Sequence, residues 1–529
     1  MAAARWRNVR LTFDAAQRGG CVCTTWAVEP RDLQTAVDVA ARNDHADTLA
    51  ELLATFPLWN TVISDGIVPA STGIWSDPYG EHHVWPLHSA ARYGSVRAVH
   101  VLLEAGASVS APYDGCTAVE VAAYYGHLAC VQLLLVVRAR VPERRRQDMH
   151  NLALGAAALS GQRIVVEWLL HAGADVEANG PFHGPCRWKT PLTAATEKGH
   201  VDVIEVLLQA KADPRNVPRN MAPAVDLAVS AGCVDAIALL AAAKADVRNR
   251  HKSETYSPLG LAAQLRHPRA ACVAKALLRC KASVNAAASQ LQFTPLRVAV
   301  TDGNIRMVKF LVRAKADVDK SGTGTLSLGS PLWASVRCGH ADAVQVLLAA
   351  KADVECDCNG PTPTPLFDAV SRGSVRIAAL LIEGKADIRR TRVDGTAPLH
   401  VAVNLTQTRV EMVQLLLASK ADANVARRTG RKTPLALAVQ QGCGKTAQAL
   451  VDARADVHNL AKPRMWESLL VAAVENVRFK GRDALQVVEV LLRAGADMHC
   501  GKLRDVVFKC EYAGRAKLCR LLLSAKVSL

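Results

Sequence analysis

Apolar residues recur along most of this chain in short stretches with helical spacing. In one stretch Ile305, Val308, Leu311 and Val312 fall on one face of a helix. A helix this short is not stable alone, so neighbouring helices have to cover its apolar face. The pattern therefore predicts many short helices that pack against one another.

A repeated phrase organises these stretches. Two large apolar residues, often Leu-Leu, are followed after two further residues by Lys-Ala-Asp or Arg-Ala-Asp. In the best copies the aspartates lie 34 to 36 residues apart, at Asp317, Asp353, Asp387, Asp422 and Asp456. Weaker copies extend the period in both directions, so a unit of about 34 residues spans at least residues 85–503.

A second phrase marks the start of a helix in each unit. Thr294-Pro295-Leu296 is one copy of a Thr-Pro-Leu triplet with Ser and Ala variants. The Thr or Ser hydroxyl can accept a hydrogen bond from an N–H of the first turn, and proline suits the first helical position. Gly303 is expected to close this helix in the left-handed conformation, and a second helix follows. Each unit is thus a helix pair, and stacked pairs form a one-dimensional array.

These residues resemble the ankyrin repeat. The segment 86–91 with Gly94 is close to the family pattern, and Gly199-His200 matches it at the turn between the helices. The resemblance covers most of the chain. It implies an all-α, ankyrin-type helix-pair solenoid of about 13 or 14 repeats, with hairpin or finger loops projecting along one edge.

The repeat boundaries divide the chain into five parts. We expect an irregular N-terminal segment at 1–32, a degenerate first repeat at 33–60, a loop insertion at 61–84, the repeat array at 85–503 and a C-terminal capping repeat at 504–529. A polar cap is needed because an open stack exposes its last apolar face.

One departure from the family pattern recurs at the end of the second helix. The family usually has glycine before Ala-Asp, whereas this chain has a basic residue, at Lys211, Lys244, Lys281, Lys315, Lys351, Lys385, Lys420 and Arg454. A residue with a Cβ in the left-handed conformation costs roughly 1–2 kcal/mol. We expect either a slightly altered turn or many small penalties absorbed by stacking. We interpret these side chains as solvated, each beside the Asp two residues on except Lys281, where Ser283 breaks the pattern; a functional basic ladder is the alternative.

Composition limits the class of protein. Of 529 residues, 50% are hydrophobic and 5% aromatic, which is too apolar for a disordered chain. The 15 cysteines are sparse and odd in number, which favours a reducing compartment, cytoplasmic or nuclear, over a disulfide-dense secreted module. We expect no membrane span, since the most apolar windows carry aspartates.

The net charge of +16 derives largely from connections between repeats. If the connections align as fingers, their arginines form a basic edge that would attract an acidic surface or nucleic acid. The simpler interpretation is that charged loops keep the array in solution. The arginines of this edge are Arg138, Arg144, Arg145, Arg146, Arg389, Arg390, Arg427 and Arg428.

Aromatic and arginine residues give the best candidate binding surface. In ankyrin repeats, the two residues before the inter-helix glycine tend to line the concave face. Because Tyr and Arg are frequent interface hot spots, the three tyrosines among these positions are favoured; the alternative is that they cover the N-terminal end of the stack. The residues selected are Arg92, Tyr93, Tyr124, Tyr125, Glu197, Lys198, Arg337 and Arg372, with Tyr113, Phe182 and Trp188 as finger-loop candidates.

No motif supports catalysis, a cofactor or a metal site. Residues 442–446 resemble the end of a phosphate-binding loop but lack its leading glycine. The cysteine pairs at 21–23 and 356–358 are spaced too closely for a zinc pair. His82-His83 lies beside Glu81, but two adjacent side chains cannot easily both bind a metal without distant partners.

The sequence therefore predicts a non-catalytic, monomeric scaffold or adaptor that binds another protein through its concave face and finger loops. Two alternatives stay open. One is a binder of nucleic acid or an acidic surface through the basic edge, with nucleic acid disfavoured. The other is the regulatory arm of an enzyme whose catalytic domain lies on a separate chain.

Overall fold

The structure, a computed structural model, is all-α in the residues that it describes. These are 37–55, 86–110, 116–136, 143–180, 189–217, 221–247, 256–266, 268–287, 293–320, 329–356, 364–406, 409–428, 432–458, 468–496, 516, 518 and 520–522. Their regular structure is helical apart from isolated bridge residues such as the pair Gly180 and Lys189. The predicted fold class is confirmed.

Most helices form pairs of a short first and a short second helix. Residues 37–42 are the first helix of the first pair, and α1 is its second. The bounds are α1 Ala46–Thr55, α2 Pro86–Tyr93, α3 Val96–Glu104, α4 Ala118–Tyr125, α5 Leu128–Val136, α6 Glu143–Ser160, α7 Arg163–His171, α8 Pro191–Lys198, α9 Val201–Gln209, α10 Ala224–Ser230, α11 Val234–Ala242, α12 Pro258–Gln264, α13 Ala270–Arg279, α14 Pro295–Thr301, α15 Ile305–Arg313, α16 Pro331–Cys338, α17 Ala341–Ala349, α18 Pro365–Ser371, α19 Val375–Glu383, α20 Pro398–Val403, α21 Arg409–Ala418, α22 Pro434–Gln441, α23 Gly444–Asp452 and α24 Leu469–Arg493.

The predicted helix starts are confirmed by their caps. The hydroxyl of Thr294 accepts the N–H of Arg297 at 3.3 Å, and Pro295 occupies the first helical position. Where Ala397 lacks a hydroxyl, its N–H instead donates to Nδ1 of His400 at 3.1 Å. The same hydroxyl cap is found at Thr190, Ser257, Ser330, Thr364 and Thr433.

The chain divides into two compact units. Unit 1 consists of residues 1–247 with 275–281, and unit 2 of residues 248–274 with 282–529. In unit 1 the first helices α2, α4, α6, α8 and α10 pack in chain order, as do the second helices α3, α5, α7, α9 and α11. In unit 2 the same holds for α12, α14, α16, α18, α20, α22 and α24, and for α15, α17, α19, α21 and α23.

Small side chains allow the first helices to approach one another closely. The fifth residue of most of them is an alanine with no exposed surface, and a larger side chain there would separate neighbouring helices. These residues are Ala90, Ala122, Ala195, Ala228, Ala262, Ala299, Ala369, Ala402 and Ala438.

A polar ladder joins successive repeats beside the second helices. The N–H of Asp353 donates to Oδ1 of Asp319 in the preceding repeat at 2.7 Å, and the N–H of Asp387 donates to Oε1 of Glu355 at 2.7 Å. The carboxylate of Asp353 also accepts the N–H of Glu355 at 2.9 Å. The aspartates of the repeated phrase therefore hold backbone geometry, a role that the sequence analysis did not assign to them.

The basic residues before Ala-Asp adopt the left-handed conformation at all eight positions, with φ between 61° for Lys315 and 70° for Lys385. Gly106 and Gly173, which keep the family's glycine at this turn, have φ values of 89° and 90°. Of the two outcomes expected, the chain therefore keeps a left-handed turn and carries a small conformational penalty in each of these eight repeats.

Two helices are longer than the paired pattern predicts. The prediction that Arg144, Arg145 and Arg146 lie in a connecting loop is wrong, because α6 already begins at Glu143. Glutamate and arginine are strong helix formers, and glycine and proline are absent until Gly155. Likewise α24 runs through 25 residues without an inter-helix turn.

Several expectations fall on residues outside those described. The segments 1–32 and 61–84 lie there, as does most of 504–529, so the predicted boundaries stay predictions. The same holds for the individual side chains of Tyr113, Arg138, Phe182 and Trp188.

Candidate protein-binding surface

The residues expected on the binding face share one structural position, the C-terminal end of a first helix. Tyr93, Tyr125 and Lys198 are the last residues of α2, α4 and α8. Arg337 lies near the end of α16, and Arg372 directly follows α18. That this position lines a concave face and binds a protein stays a prediction.

Side chains from the next repeat fix these helix ends. Nε2 of His127 donates to the carbonyl oxygen of Arg92 at 3.0 Å, and the side-chain amide of Gln162 donates to that of Tyr124 at 3.3 Å. Gly94, with φ 76°, makes room for the imidazole, because a Cβ on Gly94 would lie 2.5 Å from Nδ1 of His127. The backbone that carries Arg92 and Tyr93 is thus held by its neighbour.

An arginine and tyrosine cluster forms at this edge of unit 1. The guanidinium of Arg92 lies between two rings, with its carbon 5.9 Å from the Tyr93 centroid and 5.3 Å from the Tyr125 centroid. The guanidinium carbon of Arg42 lies 5.1 Å from the Tyr93 centroid. Tyr124 meets Tyr125 edge to face, with centroids 5.3 Å apart and planes at 75°. We call these five residues the Arg–Tyr cluster.

The cluster is largely exposed. Tyr93 is 48% and Tyr125 41% accessible, and Arg92 is exposed, whereas Tyr124 is half-buried. Large aromatic side chains left open to solvent are the residues that contribute most when a partner desolvates them. Tyr93 and Tyr125, rather than Tyr124, are therefore the main aromatic contact residues that the cluster offers.

Arg42 was missed by the sequence analysis. It occupies the place in the first repeat that Arg92 occupies in the next, but Asp44, with φ 56°, stands where the later repeats have glycine. Two bonds position it: its guanidinium donates to Asp38 at 3.0 Å, and its carbonyl accepts the hydroxyl of Ser95 at 3.0 Å. The signal in the sequence is Arg-Asn-Asp-His in the place of Arg-Tyr-Gly-Ser.

Three of the remaining predicted face residues contact neighbours of their own repeat. In unit 1, Glu197 forms an ion pair with Lys189 at 2.6 Å. In unit 2, the guanidinium of Arg337 stacks on the ring of Trp333 at 4.9 Å. Arg372 donates to Asp368 at 3.1 Å.

The four arginines of the predicted basic edge that belong to unit 2 lie where two connections meet. Arg389 and Arg390 belong to the connection between α19 and α20, and Arg427 and Arg428 to the one between α21 and α22. The N–H of Arg428 donates to the carbonyl oxygen of Asp394 at 2.9 Å, so the two connections are in direct contact.

Two buried histidines, each with a neutral imidazole, stabilise contacts between successive repeats. Nε2 of His88 donates to the carbonyl oxygen of Cys116 at 3.0 Å, and Nε2 of His400 to that of Lys432 at 3.0 Å. Burial lowers the pKa of each from 6.5 to about 4. Each histidine bonds the loop of the following repeat, as expected for a structural role.

In the described part of the chain, no group of three or more His, Cys, Asp and Glu side chains could hold a metal ion. None of the helices described there has the length and apolarity needed to cross a bilayer.

Comparison with known proteins gives a consistent family match. A family model described as "Ankyrin repeats (3 copies)" matches residues 39–145, 87–180, 154–251, 225–322 and 366–461, which together make up well over half of the chain.

Among curated proteins, the chain is similar to "Ankyrin repeat and KH domain-containing protein mask-1" of Caenorhabditis elegans, with 30% identity over 350 residues. That match covers 64% of this chain and 11% of the relative. The "Nuclear factor NF-kappa-B p105 subunit" of Gallus gallus is 31% identical over 134 residues, 25% of this chain and 13% of the relative. The chain thus spans a small part of the length of either protein.

A solved structure, the ankyrin repeat domain of Bcl-3, a member of the IkappaB protein family, is 26% identical in sequence. The match covers 43% of this chain and 98% of that domain, with a TM-score of 0.35.

Proposed function

Because this chain belongs to the ankyrin repeat family, whose repeats generally mediate protein–protein interactions, we propose that it is a non-catalytic interaction module that holds a protein partner on the Arg–Tyr cluster of unit 1. A scaffold or adaptor role follows from this proposal, because the only activity it requires is binding.

One observation carries the proposal: Arg92 lies between the exposed rings of Tyr93 and Tyr125. Such stacking restrains three flexible side chains before a partner arrives, which reduces the entropy lost on binding. The guanidinium lies over both rings and still offers the N–H donors in its plane.

This arrangement favours a partner with a carboxylate beside an apolar side chain. The in-plane N–H groups of Arg92 suit bidentate hydrogen bonding to a carboxylate. The rings of Tyr93 and Tyr125 offer apolar surface next to it, and their hydroxyls can bond to a partner's backbone.

Capture of partners on the immobilised full chain tests the proposal. The double variant Tyr93→Ala/Tyr125→Ala should lose proteins that the wild type retains, while its melting temperature stays nearly unchanged because both rings are exposed. Ile164→Ala is the matched control, since Ile164 is an exposed apolar residue of unit 1 outside the cluster. Unchanged capture with a large drop in melting temperature would show that the rings only stabilise the fold.

Salt separates this proposal from binding through the basic edge. Phosphate-driven binding of nucleic acid weakens steeply with ionic strength, whereas binding anchored by tyrosine rings depends little on it. Partners of the cluster should therefore stay bound in a high-salt wash. If an enzyme is retained, assays of its activity with and without the chain would test the alternative of a regulatory arm.

A further inference from the structure

The connection between α19 and α20 ends in a tight turn of four residues. The N–H of Gly395 donates to the carbonyl oxygen of Arg392 at 2.9 Å, and the N–H of Arg392 donates to that of Thr396 at 3.0 Å. The carboxylate of Asp394 accepts the backbone N–H of Thr396 at 2.9 Å and its hydroxyl at 2.7 Å. This finger is therefore closed by its own hydrogen bonds.

The next connection packs directly against this finger. Besides the bond from Arg428 to Asp394, a Cβ on Gly395 would lie 2.6 Å from the backbone nitrogen of Arg428. Gly395 has φ 78°, so its lack of a side chain serves both the turn and the close approach. We call residues 385–396 and 424–428 with Lys432 together the finger pair.

The finger pair carries a strong excess of positive charge. It contains seven basic and two acidic residues, a formal net charge of +5. One of those acids, Asp394, already accepts two hydrogen bonds from Thr396. These bonds, together with nearby Arg427 and Arg392, lower the pKa of Asp394. Glu355 of the preceding repeat pairs with Arg390 at 3.1 Å. Arg389 and Arg428 are exposed.

An apolar side chain stands at the tip. Val393 is 94% accessible, the highest value among the exposed large hydrophobic residues described, and it lies between Arg392 and Asp394. The guanidinium of Arg392 stacks on the buried ring of Phe367 at 4.5 Å, which anchors the base of the tip.

From this arrangement we propose that the finger pair is a second docking surface, which binds an acidic protein segment through Arg389 and Arg428 while an apolar side chain of that segment covers Val393. Charge complementarity identifies the occupant as acidic, and an apolar group beside the acids would cover the exposed valine. This surface is independent of the Arg–Tyr cluster.

A protein occupant is favoured over nucleic acid by the residues present. Single-stranded nucleic acid is held by stacking of bases on aromatic side chains as well as by charge. The finger pair contains no aromatic residue at any of its positions. Its exposed large apolar side chain is the aliphatic Val393, which has no flat face for a base.

Fluorescence anisotropy on the full chain tests this surface. The probe is a short fluorescein-labelled peptide of alternating Glu and Gly with one central Leu. Replacing both arginines, Arg389→Gln/Arg428→Gln, should weaken binding about tenfold, and Val393→Ser about threefold. A peptide with Gln in place of Glu should not bind.

Matched variants separate a defined surface from general attraction. Arg313→Gln removes the charge of an exposed arginine in unit 2 outside the finger pair and should leave affinity within about twofold. Gly395→Ala keeps every charge but displaces the two connections, and it should weaken binding while the melting temperature shows that the chain remains folded. An equal loss in Arg313→Gln, or unchanged affinity in the double arginine variant, would overturn the proposal.

A thymidine oligonucleotide of similar length serves as competitor. Under the proposal it displaces the peptide only at low salt. If the oligonucleotide binds more tightly than the peptide and requires Arg389 and Arg428, the occupant is nucleic acid and the proposal is wrong.

Discussion

The same helix position has different surroundings in the two units. In unit 1, Arg92 at the end of α2 lies between exposed tyrosine rings from two successive repeats. In unit 2, the corresponding Arg337 stacks on Trp333 of its own helix, and Arg372 pairs with Asp368 one turn earlier.

The difference shows that the repeat sets the place of a side chain, whereas the neighbouring residues set its availability. An arginine held against its own helix has already used part of its bonding capacity. An arginine that bridges exposed rings of two repeats presents a wider surface to a partner. The comparison can be tested by changing matched positions in the two units.

The largest difference is expected between two glycines with nearly the same backbone. Gly94 and Gly339 have φ values of 76° and 78°, so alanine at either pays about 1–2 kcal/mol for the left-handed conformation. At Gly94 the new Cβ also displaces His127, whereas Gly339 has no atom within 4 Å of that place.

Urea unfolding should therefore show a loss of about 2–3 kcal/mol for Gly94→Ala and about 1 kcal/mol for Gly339→Ala. Gly94→Ala should also weaken partner capture, because His127 holds the carbonyl of Arg92. Equal losses in both variants would mean that the contact with His127 has no energetic weight.

Acidification should destabilise both units similarly, since each contains one buried neutral histidine. The pKa of His88 and of His400 is about 4 in the folded chain and 6.5 when unfolded. The unfolded state thus binds protons first, so the stability contributed by each is full above pH 6.5 and declines as pH falls towards 4.

At about pH 5 the loss should be about 2 kcal/mol per histidine, measured as the shift in urea midpoint from neutral pH. His88→Gln/His400→Gln, which keeps a side-chain donor, should show much less pH dependence. A double variant as sensitive to acid as the wild type would contradict this assignment.

Replacing a left-handed lysine with glycine should have a smaller effect on stability, and the same one in both units. Lys211→Gly in unit 1 and Lys315→Gly in unit 2 each remove a penalty at φ 68° and 61°. Because glycine also loses more entropy on folding, the net gain should be at most about 1 kcal/mol in each unit. Thermal melting of the two variants checks this, and a decrease in stability would show that the lysine side chains make favourable contacts.

The smallest effect is expected for the ion pair between Arg372 and Asp368 in unit 2. Arg372→Gln should cost about 0.5 kcal/mol, because the Arg372 side chain is exposed and glutamine can still donate to the buried Asp368, and it should leave partner capture intact. Arg92→Gln should cost slightly more stability through its two ring contacts and should clearly weaken capture. Equal capture by both variants would remove the distinction between the units.

Sequence patterns predicted the helix pairs because their signals are local. The cap at Thr294, Pro295 beside it and the left-handed Gly303 each act within one turn of the chain. Prediction was wrong for Arg144–Arg146, where helix propensity extended α6 into an expected loop. It also missed Arg42, because Asp44 replaces the glycine that marks the position elsewhere.

By itself, the sequence determined the period, the helix pairs and the place of Arg92, Tyr93 and Tyr125 in their repeats, since caps, glycines and apolar spacing act over short distances. Only the tertiary structure placed Arg92 between rings from two repeats, brought Arg428 against Asp394, and left Val393 exposed. The contacts of Arg92 with Tyr125 and of Arg428 with Asp394 join residues more than 30 positions apart, and packing between repeats decides which of them meet.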